Sequence, residues 1–144
     1  MMIIIEAIAI LACSIFFGTA LYISLAQHPA AMKAGMPVAA EFFPPMYRHA
    51  APFQVSLAVS GTLIGGLLWI LNGDLRWALG AGLLFLVIPF TVLVMKPIND
   101  QLLNGEPKEE GAQRMLLDAW ALKHWLRTVS SGGAVCCYLW AALS

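Results

Sequence analysis

Four apolar runs, each long enough to cross a bilayer, leave this chain of 144 residues few ways to fold. A helix needs ~20 consecutive apolar residues to span the hydrocarbon core. The runs extend from about Ile3 to Ala26, Pro52 to Leu71, Leu75 to Met95 and Met115 to Leu143. Only 11% of the residues are charged, whereas a soluble domain carries about 25%. That is too little charge to clothe an aqueous surface. The expected fold is all-α, an integral membrane four-helix bundle formed by residues 1–144 as one domain.

The connections differ in kind. Asn72-Gly73-Asp74 alone separates the second run from the third, which predicts a tight antiparallel hairpin. The stretch from His28 to Ala51 holds Pro29, Pro37, Pro44 and Pro45, and is expected not to form a continuous helix. Residues Pro97 to Arg114, with Asn104-Gly105 and the charged run from Glu106 to Glu110, are expected to be a solvated loop. The first run carries Glu6, follows no basic residue and lacks a clear cleavage site, so it reads as a retained membrane helix rather than a signal peptide. Cys13, Cys136 and Cys137 show no metal or redox spacing and read as small buried hydrophobes.

Lys33, Arg48, Lys96, Lys108 and Arg114 fall on the side of the first and third connections, against Arg76 on the other. The positive-inside rule makes those connections cytoplasmic and both termini external, in a multi-pass protein of the cell's inner membrane. Gly61-x-x-x-Gly65, Ser14-x-x-x-Gly18 and the small residues from Ser130 to Ala134 offer close helix contacts in lipid. They speak for a bundle and leave a homo-oligomer open. The formal net charge of +0 gives no footprint for nucleic acid, so the expected partner is the lipid bilayer.

Polar and ionisable groups gather at one end. Gln27 and His28 close the first run; Glu41, Tyr47, Arg48, His49 and Gln54 surround the start of the second. Lys96, Asn99 and Asp100 follow the third, and Asp118, Trp120, Lys123, His124 and Arg127 open the fourth. Trp120, His124, Arg127 and Ser131 recur at i, i+4, i+7 and i+11, on one helix face. A charge costs ~3 kcal/mol at mid-membrane on insertion scales, so that face should turn inward, towards Asn99 and the end of the first run. Each residue also has a plainer role: Trp120 in an interfacial aromatic belt, Arg127 capping loop carbonyls, His124 in a structural hydrogen bond, His28 and His49 as solvated loop-edge residues.

Pro89-Phe90-Thr91 followed by Lys96-Pro97-Ile98-Asn99-Asp100-Gln101-Leu102-Leu103, together with Trp120-x-x-x-His124-x-x-Arg127, resembles the anthrone-oxygenase-like family of small four-helix membrane proteins. The resemblance covers nearly the whole chain in layout and is carried by those two stretches. It maps onto Pro97, Asn99, Trp120, His124 and Arg127, and leaves the first connection, with its paired prolines and His49, unmatched. It implies oxidation of a lipophilic polycyclic substrate such as an anthrone to a quinone.

Three readings follow. In the first, an acidic carbon–hydrogen bond is broken by His124 and the enolate oxygen is held by Arg127 or Asn99, with Trp120, His28 and His49 around the substrate and no cofactor. In the second, His28, His49 and His124 ligate haem or a metal, although no pair has a strong ligand spacing. In the third, the chain is a non-enzymatic membrane subunit or small-molecule binder. A transporter is disfavoured, because four helices offer no inverted repeat and no helix broken at mid-membrane.

Overall fold

A computed structural model describes residues 2–144 and contains four long helices. Helix α1 spans Met2–Lys33, α2 Met36–Asn72, α3 Leu75–Leu103 and α4 Glu110–Ala142. The first three are long and apolar enough to cross a membrane; α4 packs against α1 and α3 and completes an all-helical membrane bundle. Among the described residues there is no strand.

Residues 28–51 do not form one continuous helix, as expected, but the prolines do not make the break, as is plain from α2. That helix runs unbroken through Pro44, Pro45 and Pro52, and the first connection shrinks to Ala34 and Gly35. A proline removes one backbone donor and crowds the carbonyl four residues earlier. Here those carbonyls belong to Ala40, Glu41 and Arg48, of which Glu41 and Arg48 are exposed, at the end of the bundle where the charged residues gather and water can satisfy them. The reversal instead depends on Gly35, whose φ of +112° is outside the range of other residues.

Helices α1 and α3 extend beyond their apolar runs by the same device. Each contains a five-residue π-helical turn, Ile23–Gln27 and Thr91–Met95, followed by an X-Pro step, His28-Pro29 and Lys96-Pro97. The backbone N–H of His28 bonds to Ile23 O and that of Lys96 to Thr91 O, five residues back. The wider turn accommodates a proline that cannot complete the ordinary ladder. Residues Lys96 to Leu103 are therefore helix, and the solvated connection is confined to residues 104–109.

The α2–α3 hairpin is as tight as expected. Gly73, at φ +73°, donates to Trp69 O at 2.8 Å, and Asp74 caps α3 by accepting from Arg76 N at 2.9 Å. The Arg76 guanidinium also donates to Trp140 O at 3.1 Å, tying this turn to the end of α4. Above it, the Tyr138 ring fills the space over Gly65 and Gly80, and its hydroxyl donates to Gly61 O at 2.8 Å. The Gly61-x-x-x-Gly65 face thus makes the close contact its spacing suggests. Gly18 does not: it faces open space. Cys13 is buried as expected, but Cys136 is exposed on the bundle's flank.

Candidate functional site

The α4 face read from the sequence points inward. Trp120, His124, Arg127 and Ser131 are all buried, as is Asn99 of α3. Trp120 therefore does not sit in an exposed aromatic belt. Its ring stacks on His124 at 4.8 Å between centroids, meets Phe43 edge-on at 5.2 Å and has His28 tilted against it at 5.5 Å.

Two hydrogen-bonded chains converge near these rings, and the chemistry of their members decides their direction. An indole N–H only donates, so Trp120 Nε1 donates to Asn99 Oδ1 at 2.8 Å. That leaves the Asn99 amide nitrogen to donate to Tyr47 Oη at 3.0 Å. Tyr47 accepts there, so its own O–H is free to donate elsewhere. In the second chain Thr19 Oγ1 donates to Phe16 O at 2.9 Å and must accept from Gln54 Nε2 at 3.2 Å. Gln54 Oε1 is thereby turned to receive an Arg127 Nη at 2.8 Å. The guanidinium also lies 5.5 Å over the Phe16 ring, and its Nε is buried without a partner.

His124 is held from the other side. Ser24 Oγ, in the first π turn, lies 3.0 Å from His124 Nδ1 and 3.0 Å from Thr128 Oγ1. His124 Nε2 and His28 Nε2 are buried and unpartnered. His49 is not drawn into this cluster: it is exposed and lines an open groove with Phe42, Pro45 and Phe53. Among the described residues no three His, Cys, Asp or Glu side chains are grouped to hold a metal ion, so the three histidines do not form a shared ligand set.

Beside Arg127 a cleft with a cavity volume of about 140 Å³ opens between α2 and α3. Tyr47, Gln54, Thr91 and Arg127 supply its polar wall, and Val55, Ala58, Ile88 and Val92 much of its apolar wall. His124 stands one turn before Arg127 and is not in the cleft wall. Arg127 has no carboxylate beside it: among the described residues the ion pairs are Arg76–Asp74 and Lys96–Asp100.

Tyr47, Gln54, Ser24 and Thr19 were not singled out as site residues by sequence reasoning. A signal existed for two of them. Tyr47, Ala51, Gln54 and Ala58 recur at i, i+4, i+7 and i+11 and all line the cleft. Reading the prolines as helix breaks cuts that pattern at residue 52. For Ser24 and Thr19 no such signal existed, because their side-chain partners lie on other helices.

A family profile described as anthrone oxygenase matches residues 43–137, about two thirds of the chain. The matched stretch holds Tyr47, Gln54, Asn99, Trp120, His124 and Arg127, and excludes Ser24 and His28. No curated protein and no solved structure matches the chain.

Proposed function

Because the chain belongs to the anthrone oxygenase family, we propose that it oxidises a lipophilic phenolic or polycyclic compound with dioxygen in the membrane. The reaction converts a ring methylene to a carbonyl: two hydrogens leave carbon, one oxygen atom is gained, and the other departs as water. The observation that carries the reading is Arg127, a buried cation without a carboxylate, with an unpartnered Nε and a place in the cleft wall. A fixed cation in a dry site stabilises an oxyanion as it develops. Tyr47, with its proton uncommitted, is a second donor to the same oxygen.

His124 is the base in this reading. With Nδ1–H donated to Ser24 Oγ and the Ser24 proton passed to Thr128, Nε2 keeps the lone pair that accepts the substrate's proton. Asn99 and Trp120 position Tyr47, and His28 packs against Trp120. Enolates of this kind react with dioxygen directly, so the mechanism calls for no cofactor. The end of the bundle that bears most of the basic residues faces the cytoplasm. A second reading, a carrier that binds such a compound without oxidising it, is favoured by one observation: His124 does not line the cleft.

The test is dioxygen uptake and quinone formation from an anthrone by protein purified in mild detergent and exhaustively chelated. Wild type should turn over. Arg127→Ala should lose about 10²–10³-fold and His124→Ala about 10²–10⁴-fold, each still folded. An inert wild type, or both variants working at the wild-type rate, overturns the reading. A Soret band or stoichiometric metal in the same sample overturns its cofactor-free form.

A further inference from the structure

We propose that the cleft between α2 and α3 binds a lipophilic anion that arrives sideways from the bilayer, its charge on Arg127 and Tyr47. The inference takes from the functional reading only that Arg127 meets an oxyanion. It holds whether the ligand is then oxidised or merely carried.

Polarity is graded along the cleft. At its mouth Val55 is 52% exposed and Val92 57% exposed, whereas Arg127 at its floor is 6% exposed. Both valines lie in apolar membrane-spanning helices, so in a bilayer their exposed faces meet acyl chains rather than water. A solute dissolved among those chains reaches Arg127 without crossing an aqueous phase. The cleft's cavity volume, about 140 Å³, admits a single ring or a carboxylate head, and the rest of the solute stays among the acyl chains.

The floor is built for negative charge. The chain from Trp120 through Asn99 ends on Tyr47 with an O–H to spare. The chain from Thr19 through Gln54 occupies one Nη of Arg127 and leaves its Nε–H unspent and buried. Both chains therefore end on unspent donors, the Tyr47 O–H and the Arg127 Nε–H, and no carboxylate lines the cleft to hold a cation. The second π turn contributes Thr91 and Val92 to the wall, and the Thr91 hydroxyl is already given to Val87 O at 2.7 Å. A buried arginine is strongly favoured by an oxyanion that can take two of its N–H groups. Ring phenolates or enolates and long-chain carboxylates share that chemistry.

The probe is a long-chain carboxylate bearing a diazirine, compared with its methyl ester, on the full chain in nanodiscs of zwitterionic lipid. Photolabelled residues are mapped by mass spectrometry. The acid should label the cleft wall, Tyr47 to Ala58 and Ile88 to Val92, and the ester should label it about tenfold less or weaker still. Arg127→Gln should reduce the acid's labelling to the ester's level. Val92→Trp, at an exposed position where bulk closes the mouth without entering the core, should do the same. Ionised 2-naphthol as competitor separates the two sources: displacement of the label assigns a ring anion, and retention assigns a carboxylate. Equal labelling by acid and ester, or labelling indifferent to both substitutions, overturns the site. A wild type that takes the label but oxidises no anthrone sinks the oxygenase reading alone. One that oxidises anthrone with an unlabelled cleft sinks the site alone.

Discussion

Two neighbouring glycines on α2 should respond oppositely to the same added methyl group. A Cβ at Gly65 would lie 1.9 Å from Tyr138 Oη and 2.5 Å from Tyr138 Cζ, whereas one at Gly66 meets nothing within 4 Å. Tyr138 cannot retreat, because Gly80 lies against the ring with only 2.5 Å to a Cβ position there, and Trp77 packs at 5.0 Å. Gly65→Ala must therefore shift the ring and give up the Tyr138–Gly61 hydrogen bond. Overpacking costs about 1–3 kcal/mol, and an interhelical hydrogen bond in a membrane is worth about 0.6–2 kcal/mol. The gain in helix propensity from glycine to alanine returns about 1 kcal/mol. The net loss is about 1–4 kcal/mol for Gly65→Ala, against no loss, or a gain of up to about 1 kcal/mol, for Gly66→Ala. Reversible unfolding in mixed micelles of rising denaturing-detergent content measures both. Removing the nearest clashing atom with Tyr138→Phe should recover part of the Gly65→Ala loss. Equal stability of the two alanine variants would refute the packing argument, and a double variant no better than the sum of its parts would refute the assignment to Tyr138.

Trp120→Phe keeps a ring against His124 and Phe43 but strands Asn99 Oδ1, and should cost about 1–3 kcal/mol in the same unfolding assay. If Ser24 holds the working tautomer of His124, Ser24→Ala should lower anthrone turnover while leaving photolabelling of the cleft unchanged. The hydrogen bonds from Arg76 hold the Asp74 carboxyl below its usual range. Its contribution to stability is present above the unfolded carboxylate pKa of about 4 and is lost as pH falls through the lower folded value. Unfolding midpoints of wild type and Asp74→Ala should accordingly differ at neutral pH and converge at strongly acid pH.

Much of this architecture is legible without coordinates, because it depends on local patterns. Apolar length marks the helices, three of them long and apolar enough to cross a membrane, and Gly73 between Asn72 and Asp74 marks a hairpin whose geometry requires a positive φ. The 3.6-residue period alone places Trp120, His124, Arg127 and Ser131 on the face that is buried. What defeats local reading is proline. A penalty of ~3 kcal/mol for an interior proline argues for a break near Pro44, Pro45 and Pro52, and the same rule hides the Tyr47–Gln54 face.

Tertiary structure decides the rest. Whether a proline's stranded carbonyls can be satisfied depends on which end of the bundle they reach. Whether three histidines gather depends on the direction of α2, which turns His49 outward while α1 carries His28 onto Trp120. The polarity of each amide, and so the sign of charge the cleft accepts, depends on partners 21 to 73 residues away in sequence. The sequence by itself determined that this is a membrane bundle with a polar end and one inward-facing Trp-His-Arg face. Only packing determined which of those groups are left with unspent donors, since hydrogen-bond satisfaction is a property of neighbours and not of spacing.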